Sequence, residues 1–266
     1  MNFNKYKLIK DLKDVLIKKS NFFYNVKKLI LKKKKSLGRS FGQFVCWHKG
    51  GGVKRNYRVL SKANFNNAYG VVRSLEYDPN RTTYIGLIQS KEGFFYYKPV
   101  SSLVKINDVI SFSENNYFKL KQGDVLKLRY IPVGSLIFNI EKYPGSGPIY
   151  GRAAGSKAYL VYKDLEYGKV KLSSGEERIF NLNCTAYLGI PSNSNHKFNK
   201  KYKAGTFRLL NKRPTVRGTA MNPIDHPHGG GQGKSTPGRP SVSPWGKLTK
   251  GVPTKKKNKN FYKKII

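Results

Sequence analysis

From Arg213 to Lys250 the chain reads RPTVRGTAMNPIDHPHGGGQGKSTPGRPSVSPWGKLTK, dense in glycine and proline, with basic residues throughout and one carboxylate, Asp225. It has almost no apolar periodicity, so it cannot build a core of its own. A segment with so little to bury takes its order from a partner, and its charge makes that partner a polyanion.

Charge is distributed to match. The 266 residues carry 52 Lys and Arg against 14 Asp and Glu, a net charge of +38. Residues 1–60 hold 17 basic and 2 acidic groups, residues 61–177 hold 16 and 11, and residues 178–266 hold 19 and 1. Cationic ends thus flank a nearly balanced centre, as expected for a packed domain with two arms that lie on phosphate. Abundant Lys, Asn, Ile, Phe and Tyr fit AT-rich coding, but such a bias would not spare the middle. Cys46 and Cys184 stand far apart, which argues against a disulfide framework or a zinc site and for buried free thiols. No apolar run reaches the ~18 residues of a membrane span.

In residues 1–37, Leu8, Ile9, Leu12, Val15, Leu16, Phe22, Phe23, Val26, Leu29 and Ile30 recur at three- and four-residue spacing, with lysines on the other face. The spacing predicts a basic amphipathic helix, broken near Ser20 and Asn21. A mitochondrial targeting segment would be Arg-rich and acid-poor, whereas this stretch has Asp11, Asp14 and no Arg before Arg39. A retained extension packing on RNA or a neighbouring protein is favoured.

From Gly42 the pattern becomes many short strands, at 43–47, 57–60, 70–75, 82–89, 93–98, 124–130, 136–140, 157–162, 169–172, 177–182 and 185–190. Turn signals such as Glu166-Tyr167-Gly168 and Ser173-Ser174-Gly175 separate them. Short strands without intervening helical patterns predict two small barrels or sandwiches, with a boundary near Ser113 to Gly123.

Three motifs bear on chemistry. His48-Lys49-Gly50-Gly51-Gly52-Val53-Lys54-Arg55-Asn56-Tyr57-Arg58 sets three glycines between cations, so the backbone can approach a phosphate that the flanking charges neutralise. The alternative is a flexible hairpin with solvated charges. Next, His228 to Ser235 superficially matches a nucleotide-binding loop. Its first glycine position is His228, and Pro223, Pro227, Pro237 and Pro240 deny it the strand and helix such a loop requires. In Asp225-His226-Pro227-His228, two histidines and a carboxylate could begin a metal or acid–base site, but no other carboxylate follows Glu177. RNA contact is the better reading.

The run Arg213 to Gly231 resembles the signature of the universal second protein of the large ribosomal subunit. So do Leu75 to Arg81 (LEYDPNR), Ile131 to Ser135, Gly151 to Ser156, Ser174-Gly175-Glu176, Pro244-Trp245-Gly246 and Thr249-Lys250-Gly251, in that family's order across residues 38–251. The resemblance implies a mainly β fold. A helical extension over 1–37 precedes an OB-like RNA-binding barrel over 38–115 and an SH3-like barrel over 116–190. An extended arm over 191–266 penetrates rRNA. It implies a non-catalytic structural constituent that binds large-subunit rRNA, supports subunit association and organises the peptidyl-transferase region. Implied partners are large-subunit rRNA, neighbouring ribosomal proteins and the small subunit through an intersubunit bridge, with no membrane and no small-molecule substrate. No cofactor is expected beyond Mg²⁺ and K⁺ as rRNA counterions.

By match to the family's motifs, RNA contact is expected at Lys49, Lys54, Arg55, Arg58, Arg81, Arg152, Arg213, Arg217, Asn222, His226, His228, Lys234, Lys247 and Lys250. The chain departs from the family pattern at Cys46 and Trp47, where basic or polar residues are usual, at Leu209-Leu210-Asn211, and at Lys234 to Pro240. The extension and the AT-biased composition point to a mitochondrial ribosome and an organelle-encoded chain, with a plastid or a bacterial cytoplasm as the alternative.

Overall fold

A computed structural model of the chain describes residues 27–32, 38–61, 68–112, 120–233 and 238–253. Its strands in chain order are β1 (Ile30–Lys32), β2 (Arg39–Ser40), β3 (Gln43–Phe44), β4 (Asn56–Arg58), β5 (Ala68–Glu76), β6 (Ile85–Ser90), β7 (Phe95–Pro99) and β8 (Val109–Phe112). Then follow β9 (Val125–Lys127), β10 (Leu136–Phe138), β11 (Ile140–Glu141), β12 (Pro148–Tyr150), β13 (Ala158–Lys163), β14 (Tyr167–Lys171), β15 (Glu177–Asn181) and β16 (Thr185–Leu188). A short α-helix, α1 (Ala204–Leu209), comes after them.

The fold is mainly β, an OB-like lobe followed by an SH3-like lobe. The chain divides into two units, one of residues 1–34 with 54–200, the other of residues 35–53 with 201–266. In the first unit ten strands hydrogen-bond in the order β15-β14-β13-β10-β16-β9-β8-β5-β6-β7. Neighbours are antiparallel except β8 and β9, which run parallel where Phe112 faces Val125. The patterning explains which faces are covered. Strand β13 alternates buried Ala158 and Leu160 with exposed Tyr159 and Val161, a half-covered strand, whereas Ile85 to Ile88 of β6 are all buried, as in a strand covered on both faces.

Leu126, Leu128, Ile137, Ile140, Leu160, Val170 and Phe180 anchor the core of the later lobe. A second cluster joins Val72, Ile88, Tyr96, Val100, Ile110 and Phe112 to Val125, Phe138 and Tyr187, so the two lobes share buried side chains. At about 1.5–3 kcal/mol per buried large apolar side chain, these clusters supply the main drive for folding. Buried Glu141 stands beside them, its carboxylate accepting from the backbone N–H groups of Gly145 (3.3 Å), Gly147 (3.1 Å) and Thr185 (3.0 Å).

Ile30, assigned to helical spacing, begins strand β1, whose Ile30–Lys32 pairs antiparallel with Asn56–Arg58 of β4. The pairing offers this short piece backbone partners that an isolated helical turn could not match. Of the helix expected over 1–37, residues 1–26 and 33–37 lie outside the described residues, as does Lys234. Cys184 is buried, its thiol pushed up to about 12 chiefly by burial, with Glu141 adding to it. Cys46 is only half-buried, because it follows an exposed hairpin. Among the described residues no helix is long and apolar enough to cross a membrane.

Candidate nucleic-acid interface

In the first unit the LEYDPNR segment forms a charged corner after β5. Asp78 is fully buried, and its carboxylate accepts from the Asn80 backbone N–H (2.9 Å) and from Nε of Arg81. Arg58 reaches Glu76 from β4 (3.1 Å), and the Tyr97 hydroxyl donates to the same carboxylate. Arg55 donates to the Pro79 carbonyl (3.3 Å). Three arginines expected to meet RNA are therefore gathered on one loop and aimed by it. Each guanidinium spends a donor inside the protein, yet with five N–H donors it can hold a phosphate as well. Burial and the Glu76 carboxylate push the Tyr97 hydroxyl up to about 12, so it stays a donor. Lys54 is exposed beside them, and Arg152 is exposed in the turn after β12.

In the second unit the triple-glycine loop packs on residues 208–213. Lys49 pairs with Lys212 in a β-bridge, and the N–H groups of Gly50 and Val53 donate to the carbonyls of Asn211 (3.4 Å) and Leu209 (3.1 Å). Arg213 returns a bond to the His48 carbonyl at 2.9 Å. A Cβ on Gly52, where φ is +80°, would lie 3.0 Å from the Asn211 backbone. The close approach that glycine permits is used here by another stretch of chain. The result crowds Lys49, Lys212 and Arg213 together, with the Arg208 guanidinium close to Gly51. Repulsion among them favours a counter-anion. Arg208 and Lys212 escaped the sequence reading, because the signal for them is this long-range pairing.

Residues 218–230 fold into a small knot. The Asn222 carbonyl accepts from Asp225 (3.0 Å) and His226 (3.3 Å), and Gly229 and Gly230 donate to the carbonyls of His226 (2.8 Å) and Met221 (3.1 Å). His226 is buried, its ring against Gly218, where a Cβ would sit 2.6 Å from the imidazole. Nδ1 of His226 accepts from the His228 N–H at 3.0 Å, so a neutral ring carries its proton on Nε2. Nε2 of His228 accepts from the Val242 N–H at 3.2 Å, and the two rings lie 4.9 Å apart. The expectation that this arm has no core of its own is thus modified. His226 and Val242 are buried within it, because hydrogen bonds and the tilted contact of the two imidazole rings hold what apolar periodicity does not. Arg217, Lys247 and Lys250 stand exposed around it. Among the described residues no group of three or more His, Cys, Asp and Glu could hold a metal ion.

Two family sequence models match the chain in order. Residues 26–111 match "Ribosomal Proteins L2, RNA binding N-terminal domain", and residues 121–246 match "Ribosomal Proteins L2, C-terminal domain". The chain is 46% identical over 244 residues to the large ribosomal subunit protein uL2m of Reclinomonas americana, covering 91% of this chain and 87% of that one. It is 44% identical to large ribosomal subunit protein uL2 of a Wolbachia of Drosophila simulans, covering 90% and 87%. For the protein of that name in Alcanivorax borkumensis, identity is 45% over 90% and 86%.

Proposed function

Because the chain belongs to the ribosomal protein L2 family, we propose that it is a structural constituent of the large ribosomal subunit that holds rRNA through two basic clusters, one in each unit. The observation that carries this reading is the second unit's composition. Between residues 201 and 266 Asp225 is the sole carboxylate, and the cations Arg208, Lys212, Arg213 and Arg217 stand on or beside a folded scaffold.

The mechanism is electrostatic. Each Lys or Arg that neutralises a phosphate releases a counterion, so six to ten contacts would cost about 10³ to 10⁵ in affinity between 50 and 200 mM salt. Arg55, Arg58 and Arg81 meet phosphate already oriented, which lowers the entropy lost on binding. The histidine knot positions local RNA shape and transfers no proton. In the assembled ribosome the arm supports the peptidyl-transferase region without catalysing the reaction, and the protein contributes to a bridge with the small subunit. Mg²⁺ and K⁺ serve only as counterions of the rRNA. The lysine- and asparagine-rich composition favours a mitochondrial ribosome.

Sedimentation of the tagged full-length chain tests the reading. It should travel with large subunits at one copy each, and crosslinks should map residues 49–58 and 208–250 onto large-subunit rRNA. A chain found free of large subunits defeats it. His226→Ala should disturb assembly modestly, whereas loss of the chemical step with rRNA structure intact would argue for catalysis instead.

A further inference from the structure

The second unit exposes aromatic rings where a basic surface has no structural use for them. In the hairpin of β2 and β3, Ser40 pairs with Gln43 across a two-residue turn, Phe41-Gly42. Phe41 has φ +49° and is fully exposed. That left-handed conformation is strained for a bulky residue, and burial does not compensate it. Just beyond the hairpin, Trp47 lies 6.0 Å from Phe44 and 5.9 Å from Trp245, meeting the latter edge to face at 79°. Trp245 comes from a separate tight turn, in which Gly246 donates to the Ser243 carbonyl (2.9 Å) and Ser243 to that of Lys247 (2.8 Å). Trp47 is 55% exposed and Trp245 69%.

The cluster's surroundings identify its occupant. The Arg39 guanidinium lies 4.3 Å over the Phe44 ring, and Lys247 follows Trp245 by two residues in the same turn. Residues 35–53 and 238–253 contain no carboxylate. Flat rings with cations at the rim suit an unpaired base, which offers a π-face to the rings and a phosphate to the cations. An apolar protein partner would have no use for the cations.

We propose that Trp47 and Trp245 form a stacking site for an unpaired rRNA nucleobase, with Phe41 as a wedge against its neighbour. This rests on the rRNA-binding reading above and adds base stacking to its phosphate contacts. Aromatic stacking here takes over from charge, which explains why Trp47 can stand where the family pattern is basic or polar.

The chain has only two tryptophans, so tryptophan emission, excited beyond the tyrosine absorption band, reports this site alone. The experiment titrates the full-length chain with its large-subunit rRNA and follows emission, affinity and salt dependence. Binding should quench the emission. Trp47→Ala and Trp245→Ala should each weaken binding about 10-fold or more while leaving the slope of log K against log salt unchanged, and Trp47→Phe should retain most of the affinity. If Trp47→Ala binds as tightly as the parent chain, the stacking site is refuted while phosphate binding stands. A photocrosslink from position 47 that lands on a ribosomal protein rather than a base also refutes it. If the parent chain does not bind rRNA at all, the functional reading falls and this inference with it.

Discussion

The ammonium of Lys98 lies 4.0 Å over the ring centroid of Phe112, joining β7 to the strand that meets the later lobe. Tyr96 and Tyr187 stand at 5.8 Å and 6.0 Å, and Lys98 is 1% exposed. Burial pulls its pKa down to about 7, against a smaller opposing pull from Glu141. Aromatic faces lessen the cost of the charge without matching water.

Stability should therefore depend on pH through Lys98. An unfolded lysine titrates near ~10.4, so between about 7 and 10.4 the unfolded chain holds a proton that the folded one releases. Stability then rises with pH from about 7, by at most about 1.4 kcal/mol per pH unit. Burial raises Cys184 and Tyr97 to about 12, so above about 9 their thiol and phenol oppose that rise. Urea midpoints at pH 6.5, 7.5 and 8.5 should climb, and Lys98→Met should flatten that climb. An unchanged pH profile in the variant would remove Lys98 as its source.

Asp78→Ala should cost about 1–3 kcal/mol, because it strands the Asn80 N–H and leaves Arg81 without its carboxylate. Chemical denaturation gives this directly. Affinity for rRNA should fall too, since Arg81 loses its aim although no positive charge has been removed.

Gly218→Ala and Gly229→Ala should loosen the histidine knot. The first places a methyl 2.6 Å from the rigid His226 ring, and the second presses one onto the Asn222 carbonyl. Hydrogen exchange at residues 226–230 should speed up by at least about tenfold, the equivalent of ~1.4 kcal/mol. Global unfolding of the ten-stranded sheet should stay as it is.

Arg208→Ala, Lys212→Ala and Arg213→Ala should each make the salt dependence of rRNA binding shallower, by about 0.7–0.9 in the log–log slope for each phosphate no longer neutralised. Equilibrium binding at four salt concentrations measures it. Arg208 and Lys212 should matter as much as Arg213, although only their packing beside Gly50 to Gly52 singles them out.

The mainly β character and most strands of the large sheet were legible from alternation and turn residues, as in Ala158–Lys163 and Glu177–Asn181. Strand Val109–Phe112 was missed because four residues between polar flanks carry little periodic signal, and Pro148–Tyr150 because it opens on a proline. Lys98 would be assigned to solvent by any rule that reads residue type, since only tertiary packing sets Phe112 and Tyr187 around it. Motif matching picked out Arg55, Arg58 and Arg81. It could not show that Pro79, Glu76 and Asp78 hold them, a fact that belongs to the folded loop. The pairing of Trp47 with Trp245 joins residues almost two hundred positions apart, a distance no local pattern spans.

The clasp between residues 48–53 and 209–213 also sets an order of events during synthesis. The glycine strap leaves the ribosome early, but its partners follow only after the whole ten-stranded sheet has been made, roughly ten seconds or more later at typical elongation rates. Until then the strap has nothing to grip. The nascent chain can fold its sheet first and must close the strap last, so this portion of the molecule reports that translation has passed residue 213.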